Sequence, residues 1–196
     1  MRPSNPELQQ KIIQKTLEML MEKEPSAIGM REIATACGVT PPSIYHYFTD
    51  KETLFQGVSL FCLDDLKNCM LTYIQKQSDP KKQARAALEA FRDWCFKNQR
   101  MAFLIMGKIK VAESMTAQDA EPFYICNRIG EEILKKCTVN GKPASENPTL
   151  DTGILVSALW GCIEQTLLRR TDPYYWDKGI EFTDRFLDLA EKAYFN

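Results

Sequence analysis

Several side chains that can donate hydrogen bonds or carry charge lie close together between residues 40 and 51. This stretch reads TPPSIYHYFTDK, and it contains the single histidine of the chain. Hydroxyl, imidazole and ammonium groups at such spacing can hold anionic oxygens and polar ring edges. The sequence has no phosphate-cradling glycine loop and no paired-metal spacing, and its one histidine lies inside this stretch. The pattern therefore favours binding chemistry over catalysis, and we expect a protein that is not an enzyme.

Two short helices separated by a turn are predicted to position these groups. Gly38 ends the first helical pattern, because glycine tolerates the left-handed conformation that terminates helices. The apolar positions of that pattern recur at helical spacing: Met30, Ile33, Ala34 and Cys37. Thr40 is then the expected N-cap of a second helix with Pro41 and Pro42 in its first turn.

The prolines lead to two expectations about the start of the second helix. Neither Pro41 nor Pro42 has an N–H, so the Thr40 hydroxyl is expected to cap the amide of Ser43. Because a residue before proline avoids helical geometry, this helix is expected to begin one residue later than usual. Ile44 and Phe48 are four apart and can face the first helix, which leaves the polar and aromatic residues on other faces. The whole stretch is a predicted helix-turn-helix.

This stretch resembles the DNA-binding domain of the TetR family of bacterial transcriptional regulators. The matching residues are Arg31-Glu32-Ile33-Ala34, Cys37-Gly38-Val39-Thr40, Ile44-Tyr45-His46-Tyr47-Phe48, Lys51-Glu52 and Leu54. The resemblance implies a helix-turn-helix that enters the major groove, with some residues reading bases and others holding the phosphate backbone. The expected DNA-binding residues are Arg31, Thr40, Pro41, Pro42, Ser43, Tyr45, His46, Tyr47 and Lys51. For His46, an exposed position without a DNA contact is an equal alternative.

An all-α fold with two domains is expected. Residues 1–50 form the predicted three-helix DNA-binding head, in which Asn5 and Pro6 start the first helix. Asp50 caps a helix of about twenty-five residues that begins at Lys51 and joins the head to a helical bundle. This bundle, residues 51–196, is the predicted effector-binding and dimerisation domain. Residues 101–106 are apolar on every side, so we expect them to be buried, and residues 138–148 are expected to form a surface loop.

Composition gives further limits on the class of protein. The 196 residues carry a net charge of −1 and 44% hydrophobic residues, which is enough apolar content for a core. Between residues 26 and 51, Arg31 and Lys51 balance Glu32 and Asp50, so the head is not a basic patch. The seven cysteines are scattered without a C-x-x-C pair. We therefore expect no metal and no cofactor, a reduced cytoplasmic location, and no membrane segment.

Bulky residues in the second domain are candidates for an effector site. Phe91, Trp94, Met101, Phe103, Met106, Phe123 and Trp160 could line an apolar cavity for a small molecule between helices. The competing interpretation is ordinary core packing, which is the commoner use of such residues at helical spacing. The resemblance implies an effector site somewhere in this domain, but it does not identify the effector.

The last two predicted helices, about residues 150–170 and 176–194, are the expected dimerisation device. Gly153, Ser157 and Gly161 recur every four residues and form a small-residue ridge that another helix can approach closely. Phe182, Phe186 and Leu189 lie on one stripe of the final helix. Two helices from each chain would form a four-helix interface, which the TetR resemblance also implies. The alternative is that the ridge packs only inside its own subunit.

The expected function is that of a homodimeric transcriptional regulator, most simply a repressor, that a small-molecule effector releases from palindromic operator DNA. A nucleoid-binding or partner-binding adaptor with the same fold is one alternative. A helical small-molecule carrier with a vestigial head is another. The sequence does not specify the operator, the effector, the regulated genes or the sign of regulation.

Overall fold

The structure is a computed structural model that describes residues 5–195, and it begins with the first helix of the head. Helix α1 spans Pro6–Leu20. The Asn5 side chain accepts hydrogen bonds from the amides of Glu7 and Leu8, as expected for the predicted N-cap. Ile12, Thr16 and Leu20 are buried along one stripe of α1, and this stripe closes the core of the head.

Helices α2 and α3 form the predicted helix-turn-helix. Helix α2 spans Met30–Cys37, and α3 spans Pro41–Tyr45. Gly38 between them has φ +71°, the left-handed conformation predicted for the turn. Ile44 is fully buried and Phe48 nearly so, which confirms that these two residues face inward.

Two details at the start of α3 differ from expectation. The amide of Ser43 donates to the backbone carbonyl of Thr40 at 2.9 Å, so the Thr40 hydroxyl does not cap it. Helix α3 also begins at Pro41 itself. The first difference has a local cause, because the Thr40 carbonyl already accepts the Ser43 N–H and leaves the Thr40 hydroxyl free for another partner.

Helix α4 spans Lys51–Ile74 and begins with the predicted Asp50 cap. The Asp50 carboxylate accepts a hydrogen bond from the amide of Thr53 at 2.8 Å. This bond lowers the pKa of Asp50, because it favours the charged carboxylate. Gly57 lets the helix lie close to the head, since an added Cβ would be 3.2 Å from the Phe48 ring.

The next segment contains an ordinary helix followed by an irregular one. Helix α5 spans Pro80–Lys97, and α6 spans Gln99–Phe103. A π-helical turn, Leu104–Lys108, continues α6. The expectation that residues 101–106 are buried all round is wrong, because only Ala102 and Leu104 are fully buried there. The wider π-helical turn changes the direction of successive side chains, so the helical pattern does not extend through the segment.

The chain then passes through short elements before the last two long helices. Helix α7 spans Ala117–Ala120, a 3-10 turn covers Glu121–Tyr124, and α8 spans Ile125–Leu134. Strands β1 (Thr138–Val139) and β2 (Lys142–Pro143) pair in an antiparallel hairpin where a loop was expected. Helix α9 spans Pro148–Leu167, and α10 spans Gly179–Phe195 after a 3-10 turn at Pro173–Tyr175. The all-α class predicted from the sequence is confirmed.

The described residues group into two compact units. One unit contains residues 5–64 and 100–123, and the other contains residues 65–99 and 124–195. Helix α4 contributes to both units, since the division falls within it. In the second unit, Arg92 of α5 is buried and pairs with Asp93 and with Asp184 of α10. Across residues 5–195, no helix combines the length and apolar character needed to cross a membrane.

Candidate nucleic-acid interface

The predicted DNA-binding residues all lie in the first compact unit, on and around the helix-turn-helix. Arg31 is exposed in the first turn of α2, and Lys51 is the first residue of α4. The others lie on α3 or directly beside it: Thr40, Pro41, Pro42, Ser43, Tyr45, His46 and Tyr47. Helix α3 has only five residues, so each of these side chains lies close to one of its two ends.

Thr40 and Ser43 form a pair of hydroxyls at the N-terminal end of α3. Their oxygens are 3.0 Å apart, and either hydroxyl can be the donor. Thr40 is exposed and Ser43 is half-buried. Such a pair can donate to a phosphate or to a base edge and can also accept from a base amine, so it suits either kind of DNA contact.

The two tyrosines at the other end of α3 have different surroundings. Tyr45 is 50% exposed. Tyr47 is half-buried, and its hydroxyl oxygen accepts a hydrogen bond from the backbone amide of Asn5 at 3.0 Å. The His46 ring packs edge-on against the Tyr47 ring, with ring centres 5.3 Å apart. Tyr47 is thus held in place by residues of the head, and Tyr45 extends into solvent.

Lys51 and Arg31 supply the positive charge in this region. The Lys51 ammonium lies 5.3 Å from the centre of the Phe55 ring, in a cation–π contact one helical turn along α4. Beside Arg31, the acidic Glu32 is paired with Lys23 at 2.5 Å, and this bond lowers the pKa of Glu32. The pairing partly neutralises an acidic group that would otherwise repel phosphates near Arg31.

The comparison with known families decides the identity of this head. Residues 12–58 match the family model described as bacterial regulatory proteins, tetR family. This head is therefore similar to the DNA-binding head of the TetR family. The matched residues run from the middle of α1 into α4, so they contain the whole helix-turn-helix.

One curated relative and two solved structures add to this result. The HTH-type transcriptional activator FasR of Mycolicibacterium smegmatis is 30% identical over 100 residues, which are 51% of this chain and 46% of FasR. The chain thus matches about half the length of that relative. PfmR from Thermus thermophilus, a TetR-family regulator, has a TM-score of 0.59 at 19% identity, over 92% of this chain and 97% of PfmR. A TetR-family regulator from Streptomyces coelicolor has a TM-score of 0.66 at 18% identity, over 97% of this chain and 84% of that regulator. Both structures share the TetR fold over nearly the whole chain.

The predicted effector residues divide between the two compact units of the protein. Phe91 and Trp94 on α5 are buried, and Trp160 on α9 is half-buried. The Trp94 indole N–H donates to the Asp65 carboxylate at 2.7 Å. The remaining four residues lie in the other unit and are half-buried: Met101, Phe103, Met106 and Phe123. Their joint assignment to one effector site stays a prediction.

The predicted dimerisation residues lie on the outer faces of α9 and α10. A Cβ added at Gly153 or Gly161 would meet no described atom within 4 Å, and Ser157 is exposed. A groove of about 860 Å³ runs along α10, and its lining includes Phe182, Phe186 and Leu189. The ridge is therefore open to solvent within the described part of the subunit.

Sequence reasoning missed several residues beside these sites. Leu150 and Ile154 are 57% and 53% exposed on the same face of α9 as Gly153. Their spacing of four residues, in step with the small-residue ridge, is a signal that could have identified them. Cys162, Tyr175 and Ile180 also line the groove. The bond between Asn5 and Tyr47 joins residues 42 positions apart, and no local pattern indicates it.

Proposed function

We propose that this TetR-family protein regulates transcription as a homodimer that binds a near-palindromic operator, and that a small molecule bound by its second domain releases it from DNA. The observation that carries the proposal is the set of exposed and half-buried donors around α3, on a head that matches the tetR family model. Within this scheme Arg31 and Ser43 read bases. Tyr45, Tyr47 and Lys51 hold the phosphate backbone.

Because the head carries little net charge, we expect it to bind DNA through a few specifically positioned hydrogen bonds and charges. Phosphate contacts in this region come from hydroxyls as much as from cations, because Arg31 and Lys51 are balanced by Glu32 and Asp50. A single head then has modest affinity for DNA. Two heads on one dimer raise the effective concentration of the second contact, so assembly is part of the DNA-binding mechanism.

The outer faces of α9 and α10 support assembly with a second copy of the chain. On these faces Leu150, Ile154 and Leu189 are exposed, and the ridge on α9 has open space beside Gly153 and Gly161. A ridge of small residues between larger apolar ones lets two helices approach closely while burying the flanking side chains. A two-fold interface brings the same patch of both subunits together, so the ridge and its apolar neighbours would pack against a second copy of themselves.

The sign of regulation has two candidates. Repression is the simplest consequence of effector-released operator binding, and it is our proposal for this chain. Activation is favoured by one observation, since the relative that is 30% identical over about half of this chain is named a transcriptional activator.

Selection of a randomised DNA duplex pool by the purified full chain tests the proposal. We expect enrichment of an inverted repeat with half-sites about one helical turn apart, and an affinity that falls steeply as salt rises. In vitro transcription from a promoter that carries the selected site then gives the sign of regulation. A pool with no enriched sequence would contradict operator binding by the ligand-free protein. Many weak sites together with a captured protein partner would support the adaptor alternative instead.

A further inference from the structure

Tyr47 is held at both ends of its side chain by residues of the head. Its hydroxyl oxygen accepts the Asn5 amide N–H at 3.0 Å, and its ring packs against His46 at an interplanar angle of 83°. We propose that Asn5 and His46 are positioning residues that fix the Tyr47 hydroxyl as a donor to one DNA phosphate. This inference rests on the proposed function, because it assigns Asn5 and His46 a role in operator binding.

The direction of the Asn5 bond determines what the hydroxyl can offer to DNA. A tyrosine hydroxyl has one proton and can also accept hydrogen bonds. Because its oxygen accepts from Asn5, the proton remains for donation, and a phosphate oxygen is an acceptor only. An accepted hydrogen bond also polarises the hydroxyl and strengthens it as a donor.

The Asn5 amide is itself rigidly placed at the start of α1. The Asn5 side chain accepts from the amides of Glu7 and Leu8, at 3.0 and 3.4 Å, and its carbonyl accepts from Gln9 at 3.1 Å. With its side chain and carbonyl fixed by the first turn, the remaining N–H has a defined direction. The entropy of ordering the Tyr47 side chain is then lost on folding and not on DNA binding, which favours affinity.

Tyr45 provides an internal comparison for this arrangement. It lies two residues earlier and is 50% exposed, and no residue in the described range holds its hydroxyl. A Tyr45 contact to phosphate must order the side chain at the moment of binding. The same loss of one hydroxyl should therefore cost less affinity at Tyr45 than at Tyr47.

The His46 assignment differs from a base-reading role. His46 is exposed at the end of α3, and its ring packs edge-on against Tyr47. A ring of similar shape should serve the same purpose. We expect His46→Phe to keep operator affinity within about threefold of wild type and His46→Ala to weaken it more, by about the strength of one aromatic pair. A base-reading histidine would lose sequence preference in both variants.

The test measures operator affinity and its salt dependence for the full chain carrying substitutions at Asn5 and Tyr47. Asn5→Pro removes the amide N–H, and the Asn5 φ of −91° lies close to the range of proline. Asn5→Ala is the matched control, since it also loses the side-chain cap but keeps the N–H. We expect Tyr47→Phe to weaken binding about tenfold, Asn5→Pro several-fold, and Asn5→Ala by less than about threefold.

The double variant shows whether Asn5 acts through the Tyr47 hydroxyl. Adding Asn5→Pro to Tyr47→Phe should weaken binding no more than adding Asn5→Ala does, because the hydroxyl that the Asn5 amide positions is already absent and only the helix cap is lost. The slope of log affinity against log salt concentration should stay unchanged in all these variants. Lys51→Gln should lower the magnitude of that slope by about one. Independent, multiplying losses from Asn5→Pro and Tyr47→Phe would overturn the inference and leave operator binding intact.

A measurement on modified DNA keeps the test decisive if Asn5→Pro fails to fold. Each phosphate of a half-site is replaced in turn by an uncharged methylphosphonate, and binding is compared between wild type and Tyr47→Phe. We expect one position that weakens wild-type binding but has little effect on the variant. Equal sensitivity of both proteins at every position would overturn the Tyr47 contact. If wild type enriches no operator at all, the proposed function fails, and this inference fails with it.

Discussion

Four glycines in α8, α9 and α10 lie in two opposite environments. A Cβ added at Gly130 would be 2.9 Å from Thr152, and one added at Gly179 would be 2.8 Å from Phe96 and 2.9 Å from Thr166. At Gly153 and Gly161 a Cβ would meet nothing within 4 Å. Glycine at the first two positions permits close packing inside the subunit. At the other two positions no contact within residues 5–195 requires it, and we propose that it serves assembly with a second subunit.

This comparison separates the interior of the second unit from its outer face. The inner contacts join α8 to α9, and α10 to both α5 and α9. The outer positions lie beside the exposed Ile154, where a second α9 could approach as closely as the inner helices do. The same residue type thus stabilises the fold in one place and, we propose, assembly in the other. Substitutions at the two kinds of position should give opposite results.

The largest effect is expected from Gly161→Leu. A Cβ added at Gly161 meets no described atom within 4 Å, so we expect the helical content of the protein not to change. In a two-fold interface the side chain is introduced twice, and overpacking of about 1–3 kcal/mol per copy corresponds to a dimer at least about 30-fold weaker. Analytical ultracentrifugation across protein concentrations measures the dimer, and operator titration should show a parallel loss of affinity.

Far-ultraviolet circular dichroism of Gly161→Leu is the control for folding. Gly161→Ala should have a smaller effect on assembly, because one methyl group separates the helices less than a leucine does. A Gly161→Leu protein that remains dimeric and binds the operator like wild type would show that this face is not the interface. The alternative of a ridge that serves only its own subunit would predict a misfolded variant.

Gly179→Ala should give the reverse result, a less stable protein that still assembles. The new methyl group would approach Phe96 and Thr166 below van der Waals distance, so α10 must shift or Phe96 must move. We expect the free energy of unfolding to fall by about 1–3 kcal/mol, with operator affinity unchanged under native conditions. Urea unfolding at one fixed protein concentration measures this effect.

Gly130→Ala is the matched comparison inside α8. It should cost less than Gly179→Ala, because alanine in a helix interior is favoured over glycine by about 1 kcal/mol and partly offsets the contact with Thr152. A Gly179→Ala protein as stable as wild type would contradict the close packing of α10. Loss of dimerisation in that variant would remove the distinction between inner and outer glycines.

Local signals explain the parts of this fold that the sequence predicted correctly. Asn5 and Asp50 cap helices because their side-chain oxygens accept hydrogen bonds from amides two or three residues further along the chain. Gly38 ends α2 in the left-handed conformation. These interactions span a few residues, so residue type and spacing are enough to identify them. The turn Asn140-Gly141 gives an equally local signal that was not used. Both residues have positive φ, at 52° and 76°, as in the two-residue turns that join hairpin strands.

Other features depend on contacts that no local pattern specifies. The apolar run 101–106 predicts burial, but Met101, Phe103 and Met106 are only half-buried, and no local pattern indicates the π-helical turn Leu104–Lys108. The glycine spacing in α9 indicates a close helix approach but does not say on which side. Asn5 and Tyr47 meet only after α1 and α3 have packed. The sequence therefore predicts the helix-turn-helix that carries the candidate DNA-binding residues, but it does not predict the contacts that support them.

Beside Gly130, the close approach of α8 and α9 also creates a pH-dependent contact, for which the smallest effect is expected. The Glu131 carboxylate pairs with Lys135 at 2.8 Å and Arg128 at 3.0 Å, and it accepts a hydrogen bond from Thr149 of α9. These partners, led by Lys135, lower the pKa of Glu131 from 4.5 to about 2. They stabilise the charged form, so the folded state binds this proton less readily than the unfolded state does.

The sign of the resulting pH dependence follows from the lowered pKa. The contribution of the Glu131 carboxylate to the free energy of unfolding is fully present above pH 4.5, the pKa of this group in the unfolded chain. It is lost as pH falls toward about 2, the pKa of the group in the folded protein. We therefore expect Glu131→Gln to be less stable than wild type at pH 7, with a difference that shrinks between pH 4.5 and pH 2. Urea unfolding of both proteins across that range measures the difference. Glu132→Gln is the control, because the exposed Glu132 also pairs with Lys135 but should contribute little. A Glu131→Gln difference that stays constant with pH would mean that this carboxylate does not link α8 to α9 through its charge.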